Sequence, residues 1–306
     1  MSIVAPDVDR MNDITRVGRF MESACSTDTF SSYNISRCLW AGRTEICDVV
    51  IAESPVYGKI LFLDNELQSS EADEAIYHEH LVHPVLNATA SVLRKSVLIV
   101  GGGEGATARE VLKWDSNLVS NVDWVDIDGT LVNLCRRYMC FAEDSVYNDP
   151  RLNYFAEDIR AFWARVDTKY DVIILDLPDP DVRALEAGDE RELYNKEFME
   201  TVKLHLNSGG AVVSHVGPIA PGPVKNREGL NWMETVSTAI GKGHAYHVTI
   251  PSFQGEWGFW MSVASNNSDQ FPHGLAVMDI DAQKYAFTWP RYWTLAHSAR
   301  GHIENN

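Results

Sequence analysis

The sequence predicts an α/β protein in which a parallel β-sheet is covered by helices on both faces and follows a small antiparallel β domain. From residue 95 onward, near-continuous apolar runs alternate with helical stretches, which is typical of buried parallel strands. Between residues 31 and 70, short β-branched runs are bounded by turn residues, which is typical of antiparallel strands. We expect an N-terminal segment, a β domain with its linking helix, and a large α/β domain at residues 1–30, 31–90 and 91–306.

The predicted strands and helices follow in order along the chain. The β domain contains strand-like runs at 46–52 and 57–65. In the larger domain, strands are predicted at 96–100, 122–126, 152–155, 171–176 and 211–215, and the helices that follow them at 104–114, 129–140, 159–166, 194–206 and 224–240. A last strand pair is predicted at 247–251 and 257–264, whereas residues 265–306 carry no clear pattern.

The linking helix is predicted at residues 71–87, with Ser69 or Ser70 as its cap and Pro84 near its end. Its first two turns contain four side chains that can carry or contact a charge: Asp73, Glu74, Tyr77 and His78. Tyr77 and His78 line a channel for a cation or simply form a helix surface, and their spacing alone favours the surface.

The composition is that of a globular protein with an acidic surface. Of the 306 residues, 45% are hydrophobic, and 26 basic against 43 acidic side chains give a net charge of −17. Such a charge repels nucleic acid and favours cationic partners. Many proteins are acidic for solubility alone, so the charge is informative only where a site requires a cationic ligand.

Cysteine usage and hydropathy indicate a cytoplasmic protein without a metal site or membrane contact. The five cysteines form no C-x-x-C motif, and their spacings suit neither zinc nor a disulfide framework. No apolar run has the length of a membrane span, and the N-terminus is acidic where a signal peptide has an apolar core.

A glycine-rich turn at 101–105 follows the first strand of the large domain and precedes a helix. Gly101 and Gly103 let the backbone approach a ligand closely, although such a turn is a weak signal by itself. Asp126 ends the next strand and is placed to accept hydrogen bonds from both ribose hydroxyls. Asp158 follows the third strand and is placed to read an adenine amino group. Dinucleotides and S-adenosyl sulfonium compounds both suit this layout.

Glu104 in this turn discriminates between possible cofactors. A carboxylate here repels the carboxylate of intact S-adenosylmethionine and attracts its amine, so it suits the decarboxylated compound, which has only the amine. The alternative is that Glu104 is an acid favoured by the dipole of the following helix.

A pair of carboxylates follows the fourth strand of the large domain. Asp176 ends that strand at the edge where open α/β sheets bind ligands, and Asp179 follows between two prolines that restrict the loop. Two carboxylates beside a sulfonium compound can hold an ammonium group and take a proton from an amine. The alternative is a turn that uses Asp and Pro for its local geometry.

Five stretches together resemble the spermidine synthases, which are polyamine aminopropyltransferases. They are YGKILFLDNELQSSEADEAIYHEHLVHPVL at 57–86, GGGEGATAREVLKW at 101–114, D-I-D at 126–128, DLPDP at 176–180 and LYNKEFMETVKLHLNSGG at 193–210. The resemblance covers residues 40 to 265. It implies a Rossmann-like methyltransferase-type domain after the β domain and a homodimer or larger homo-oligomer. It also implies decarboxylated S-adenosylmethionine as co-substrate and spermidine or putrescine as acceptor, with no metal.

The resemblance also implies roles for individual residues. On the acceptor side, Asp176 resembles the catalytic aspartate, Asp179 its partner that binds a substrate amine, and Tyr77 a residue beside the reacting amine. We expect Asp73 and Glu74 to bind distal ammonium groups. On the cofactor side, Glu104 resembles the acid that holds the aminopropyl amine, Gln68 the glutamine beside it, and His78 a residue that contacts the cofactor. Asp126 resembles the ribose ligand and Asp158 the adenine ligand.

Several details resemble the thermospermine synthases, which use spermidine as acceptor. Leu177 and Pro178 occupy the middle of the DLPDP loop, and Phe253 stands where spermidine synthases usually have tyrosine, shortly before Trp257. We expect Phe253 and Trp257 to contact the acceptor. The alternatives are a spermidine synthase that uses putrescine, a small-molecule methyltransferase on the same fold, and a non-catalytic polyamine-binding protein.

Overall fold

A computed structural model describes residues 19–22, 31–179, 193–219, 228–265 and 269–289, with the isolated positions 186 and 188. Most of the predicted segment 1–30, Pro180 of the DLPDP loop and residues 290–306 lie outside the described residues.

The N-terminal part of the described chain is antiparallel, as predicted. Strand β1 (Arg19–Glu22) pairs with β2 (Ser31–Asn34), and a four-stranded meander follows: β3 (Arg37–Arg43), β4 (Asp48–Ser54), β5 (Gly58–Leu63) and β6 (Glu66–Ser70). Asp64 and Asn65 connect β5 to β6 with φ angles of 48° and 72°, which a two-residue hairpin of the primed type requires.

The four-stranded sheet buries both faces. Alternate residues such as Val49 and Leu61 pack against Leu131 and Leu134 of the larger domain. The intervening residues, including Phe62, pack under Tyr33 and the half-buried Phe253. The alternation of strand side chains therefore seats this sheet directly beside the loops of the larger domain.

Helix α1 (Glu74–Ala88) links the two parts, and its ends differ from the prediction. Asp73 is the N-cap residue, whereas Ser70 belongs to β6 and donates a hydrogen bond to the Asp73 carboxylate at 2.6 Å. Pro84 lies inside the helix, which was wrongly predicted to end near it. Proline cannot donate to the carbonyl of His80, and the hydroxyl of Tyr246 supplies that bond instead at 2.8 Å.

The larger domain contains a seven-stranded mixed sheet in the order β12–β13–β11–β10–β7–β8–β9. Its strands are β7 (Lys95–Gly101), β8 (Val119–Asp126), β9 (Leu152–Ala156), β10 (Tyr170–Asp176), β11 (Leu206–Pro218), β12 (His244–Ile250) and β13 (Gly255–Met261). Strands β7 to β11 run parallel, and β12 and β13 form the predicted strand pair that closes the sheet antiparallel to β11. From β7 the chain continues to β8 and β9 on one side of the sheet and then crosses to β10 on the other side of β7. Open α/β sheets bind their ligands at such a switch in strand order.

Helices cover both faces of this sheet, as predicted. They are α2 (Ala106–Leu112), α3 (Gly129–Tyr138), α4 (Asp144–Tyr147), α5 (Ile159–Arg165), α6 (Lys196–Leu204), α7 (Glu228–Val236) and α8 (Ile280–Ala286). Leu98 and Ile173 face α5, α6 and α7, whereas Val97 and Val172 face α1, α2 and α8. This arrangement confirms the predicted α/β fold with its small N-terminal antiparallel sheet.

Candidate active site

The glycine turn lies against the end of strand β10. Gly101 has a φ of 83°, and a Cβ atom there would lie 2.1 Å from the carbonyl oxygen of Asp176. The backbone nitrogen of Gly102 donates to that same oxygen at 2.8 Å. A Cβ atom at Gly103 would lie 3.2 Å from the carboxylate of Asp126. The glycines therefore let this turn sit between the two strand-end acids.

Two hydroxyl groups hold the carboxylate of Asp176. The Tyr77 hydroxyl donates to Oδ1 at 2.7 Å, and the Thr107 hydroxyl donates to Oδ2 at 2.5 Å. Burial and then the negative charge of Asp176 raise the pKa of Tyr77 well above its ordinary value, so the phenol stays a donor. Asp176 is thus oriented as a carboxylate from two sides. Thr107, in the first turn of α2, was not among the site residues predicted from the sequence.

Asp179 lies beside His215 of strand β11. Their atoms Oδ1 and Nδ1 are 3.4 Å apart, and Nε2 of His215 donates to the carbonyl oxygen of Leu177. Gly217 has a φ of 79°, and a Cβ atom there would lie 3.2 Å from the Asp179 carboxylate. His215 was not among the site residues predicted from the sequence.

Aromatic rings form the wall next to these two acids. The rings of Phe253 and Trp257 are 4.5 Å apart between centroids, and Tyr77 meets Phe253 edge-on at 6.3 Å. His215 stacks on Trp257 at 6.0 Å and meets Tyr77 edge-on at 5.7 Å. The structure therefore brings four predicted site residues together with His215: Tyr77, Asp179, Phe253 and Trp257. Such rings suit the methylene groups and charges of an alkyl ammonium compound.

Glu104 is held by a serine and by a histidine. The Ser69 hydroxyl donates to Oε1 at 2.5 Å, and Nε2 of His78 lies 3.3 Å from Oε2. The other ring nitrogen of His78 lies 2.8 Å from the backbone oxygen of Glu74 and 2.9 Å from its carboxylate. Both nitrogens face acceptors, so His78 is an imidazolium. Burial lowers its pKa, but hydrogen bonds to Glu104 and Glu74 outweigh burial and raise it to about 10.

Glu74 and Asp73 are occupied by partners within the chain. Both terminal nitrogens of Arg109 donate to Glu74, at 2.9 and 2.8 Å. Burial raises the pKa of Glu74, but His78 and Arg109 outweigh it and lower the pKa to about 2. The buried carboxylate of Asp73 accepts from the backbone and hydroxyl of Ser252 at 2.7 and 2.8 Å. Their role as ammonium ligands stays a prediction, and these contacts favour a structural role.

The predicted nucleoside ligands lie at the ends of neighbouring strands. Asp126 is buried and accepts from the backbone nitrogen of Asp128 at 2.8 Å. Burial raises its pKa to about 7, although that hydrogen bond lowers it. Asp158 caps α5 by accepting from the Arg160 backbone at 2.7 Å and from its side chain at 3.0 Å. Gln68 lies in β6 beside the Ser69 that reaches Glu104, and its amide donates to Glu66 at 3.4 Å.

The carboxyl ends of the parallel strands thus present carboxylates together with aromatic rings. This arrangement can attract an alkyl ammonium group, hold it in place and accept a proton from it. Within the described ranges, no group of three His, Cys, Asp or Glu side chains is arranged to hold a metal ion. In that same part of the chain, no helix is long and apolar enough to cross a membrane.

Two family models match the chain. The model described as "Spermine/spermidine synthase domain" matches residues 74–272, and the one described as "Spermidine synthase tetramerisation domain" matches residues 22–71.

Curated relatives carry related names. A protein named polyamine aminopropyltransferase 2 from Pseudomonas aeruginosa is 37% identical over 75% of this chain and 63% of its own length. A polyamine aminopropyltransferase from Synechococcus is 37% identical over 83% of this chain and 79% of its own. The thermospermine synthase ACAULIS5 of Arabidopsis thaliana is 32% identical over 81% of this chain and 70% of its own.

Two solved structures share the fold. Spermidine synthase from Thermotoga maritima has a TM-score of 0.77 at 19% identity and covers 97% of both chains. A spermidine synthase in complex with the transition-state analogue AdoDATO has a TM-score of 0.79 at 20% identity and covers 98% of both chains.

Proposed function

This chain belongs to the spermine/spermidine synthase family, whose members are polyamine aminopropyltransferases that use decarboxylated S-adenosylmethionine, and we propose that its acceptor is spermidine and its product thermospermine. The observation that carries the proposal is the Asp176 carboxylate, held by Tyr77 and Thr107 at the glycine turn and flanked by Asp179 and aromatic rings. Phe253 in the aromatic wall and the likeness to a thermospermine synthase support spermidine over putrescine.

The proposed reaction is a direct displacement at carbon. A nitrogen of the acceptor attacks the methylene group next to the sulfonium, the carbon–sulfur bond breaks, and its electron pair stays on sulfur in neutral methylthioadenosine. A free primary amine has a pKa of about 10 and is mostly protonated at pH 7, so the attacking nitrogen must lose a proton. We assign that proton to Asp176 and expect much of the acceleration to come from alignment of the two substrates.

The cofactor is held by the acids on the other side of the glycine turn. Glu104 binds the primary amine of the aminopropyl group and disfavours the carboxylate of intact S-adenosylmethionine. Asp126 binds the ribose hydroxyls, and Asp158 with its neighbouring backbone reads the adenine. His78 keeps Glu104 in place as an imidazolium, and Gln68 flanks the amine from strand β6.

We also propose that the chain forms a homodimer or larger homo-oligomer through its N-terminal sheet. The match of residues 22–71 to a tetramerisation model supports this assembly. The two model matches meet between residues 71 and 74, which supports a division into a β domain and a catalytic domain but places the linking helix in the second match. The bounds 31–90 and 91–306 stay a prediction. Light scattering on the purified protein tests the assembly.

The acceptor is tested by product analysis. The purified protein is incubated with decarboxylated S-adenosylmethionine and either putrescine or spermidine, and the products are separated against isomer standards and identified by mass spectrometry. Thermospermine from spermidine alone supports the proposal, and spermidine from putrescine overturns the acceptor. Methylated product from intact S-adenosylmethionine favours a methyltransferase, and binding without turnover favours a non-catalytic protein.

A further inference from the structure

His215 has one ring nitrogen engaged and the other without a hydrogen-bond partner. The residue is 3% exposed near the end of β11. Its Nε2 faces the carbonyl oxygen of Leu177, which can only accept, so Nε2 carries a hydrogen. Its Nδ1 is buried and makes no hydrogen bond. A buried polar atom left in this state is costly unless a ligand completes it.

The group that faces this nitrogen is the carboxylate of Asp179. Its Oδ1 lies 3.4 Å from Nδ1 of His215. In the tautomer with its hydrogen on Nε2, Nδ1 is an acceptor, so a donor within hydrogen-bond distance of both Nδ1 and this carboxylate supplies the bond that Nδ1 lacks. An ammonium group has several N–H donors and a positive charge that the carboxylate attracts.

The ring of His215 is fixed in this orientation by its neighbours. It stacks on Trp257 with an interplanar angle of 14° and meets the ring of Tyr77 edge-on. The Leu177 carbonyl holds the opposite nitrogen. On the other side, the absence of a side chain at Gly217 lets the Asp179 carboxylate approach the backbone of β11. The two acceptor atoms are therefore positioned before any ligand arrives.

We propose that Nδ1 of His215 and the carboxylate of Asp179 together bind a non-reacting ammonium group of the polyamine acceptor. This inference rests on the proposed function, in which Asp176 faces the reacting nitrogen. His215 then helps to determine which acceptor binds, because it places the site for the non-reacting ammonium group at a fixed position relative to Asp176.

The test compares two substitutions at this position. His215→Gln keeps a donor for Leu177 and an acceptor for the ammonium, whereas His215→Phe keeps the ring and loses both nitrogens. Spermidine affinity is measured by calorimetry, and kcat and KM are measured with decarboxylated S-adenosylmethionine. Because a hydrogen bond to a charged group contributes about 1.5–3 kcal/mol, His215→Phe should weaken spermidine binding roughly ten- to one-hundredfold. His215→Gln should stay within a few-fold of the wild type, and both should keep the KM for the cofactor.

A matched control is His205, whose ring stacks on Trp163 at a centroid distance of 4.8 Å. His205 directly precedes the first residue of β11, whereas His215 lies near the other end of that strand. His205→Phe and His205→Gln should leave spermidine affinity unchanged. Unchanged spermidine affinity in folded His215→Phe overturns the inference. If that variant does not fold, the wild type labelled with ¹⁵N-histidine decides, because spermidine but not methylthioadenosine should shift the Nδ1 resonance of His215. Resonances that do not respond to spermidine overturn the inference.

The outcomes separate this inference from the proposed function. If the protein forms thermospermine and His215→Phe binds spermidine as tightly as the wild type, the proposed function is supported and the role of His215 is wrong. If spermidine binding depends on His215 but no aminopropyl group is transferred, the ammonium site is supported and the proposed reaction is wrong.

Discussion

The hydroxyl of Tyr77 donates a 2.7 Å hydrogen bond to Oδ1 of Asp176, across 99 positions of sequence. The bond joins helix α1 to the end of strand β10, so it fixes Asp176, the proposed proton acceptor, relative to the aromatic wall. Because burial and the charge of Asp176 raise the pKa of Tyr77, the phenol stays a donor and holds that carboxylate in one orientation.

Tyr77→Phe should therefore lower kcat for aminopropyl transfer roughly ten- to one-hundredfold, since it removes a hydrogen bond to a charged group. Steady-state kinetics and calorimetry with methylthioadenosine measure the effect, and nucleoside binding should stay unchanged. Tyr170→Phe is the matched control, because the Tyr170 hydroxyl also donates to a carboxylate, that of Asp123, at 2.7 Å in the same sheet. A similar loss of kcat in both variants would contradict a specific role for Tyr77.

The strands and the strand-end acids were predictable because their signals are local. An apolar run followed by Asp126 or Asp176 identifies both a buried strand and the edge at which it ends. The contacts that position the site were not predictable from local patterns. Thr107 reaches Asp176 across 69 positions, Ser69 reaches Glu104 across 35, and His215 reaches the Leu177 carbonyl across 38, so only the folded chain brings them together.

Gly101→Ala should abolish most of the activity. The new Cβ atom would lie 2.1 Å from the carbonyl oxygen of Asp176, so the turn or the end of β10 must move. Gly209→Ala is the control, because Gly209 has a similar φ of 79° and has no atom within 4 Å of a Cβ. We expect Gly209→Ala to lower the free energy of unfolding by about 1–2 kcal/mol through backbone strain and to leave kcat unchanged. Kinetics and thermal unfolding measure both variants, and equal losses of kcat would contradict this account.

Nucleoside affinity should rise with pH through about 7, the pKa of Asp126. Burial raises this pKa from 3.8, so below pH 7 the unliganded protein holds a proton that the unfolded chain releases near pH 4. The free energy of unfolding of the unliganded protein should therefore fall as the pH rises from 4 to 7, because the folded chain keeps a proton on Asp126 that the unfolded chain has lost. If Asp126 is the ribose ligand, as proposed, the ribose hydroxyls donate to its ionised carboxylate, so nucleoside binding should favour the deprotonated form.

Calorimetry with methylthioadenosine between pH 5.5 and 8.5 measures this effect. The wild-type affinity should increase with pH and level off above about 8, whereas Asp126→Asn should bind weakly at every pH. A wild-type affinity that does not change with pH would argue against Asp126 as the ribose ligand.

The hydrogen bond from Tyr246 to the carbonyl of His80 explains why Pro84 does not end α1. Tyr246→Phe leaves that buried carbonyl without a partner and should lower the free energy of unfolding by about 1–3 kcal/mol. In a Pro84→Ala background, the new backbone N–H at position 84 can donate to the same oxygen, so the cost should be smaller. Urea unfolding of the four proteins gives the coupling energy. Equal costs in both backgrounds would show that the tyrosine does not replace the missing N–H.

Turnover by Asp176→Asn tests the central claim most directly. The rate of thermospermine formation from spermidine and decarboxylated S-adenosylmethionine is measured in the wild type and in this variant, with spermidine binding measured separately. The account predicts a loss of kcat of roughly 10²- to 10⁴-fold with spermidine affinity little changed, because the amide cannot accept the proton. A near-normal kcat in Asp176→Asn would contradict the assignment of Asp176 as the proton acceptor.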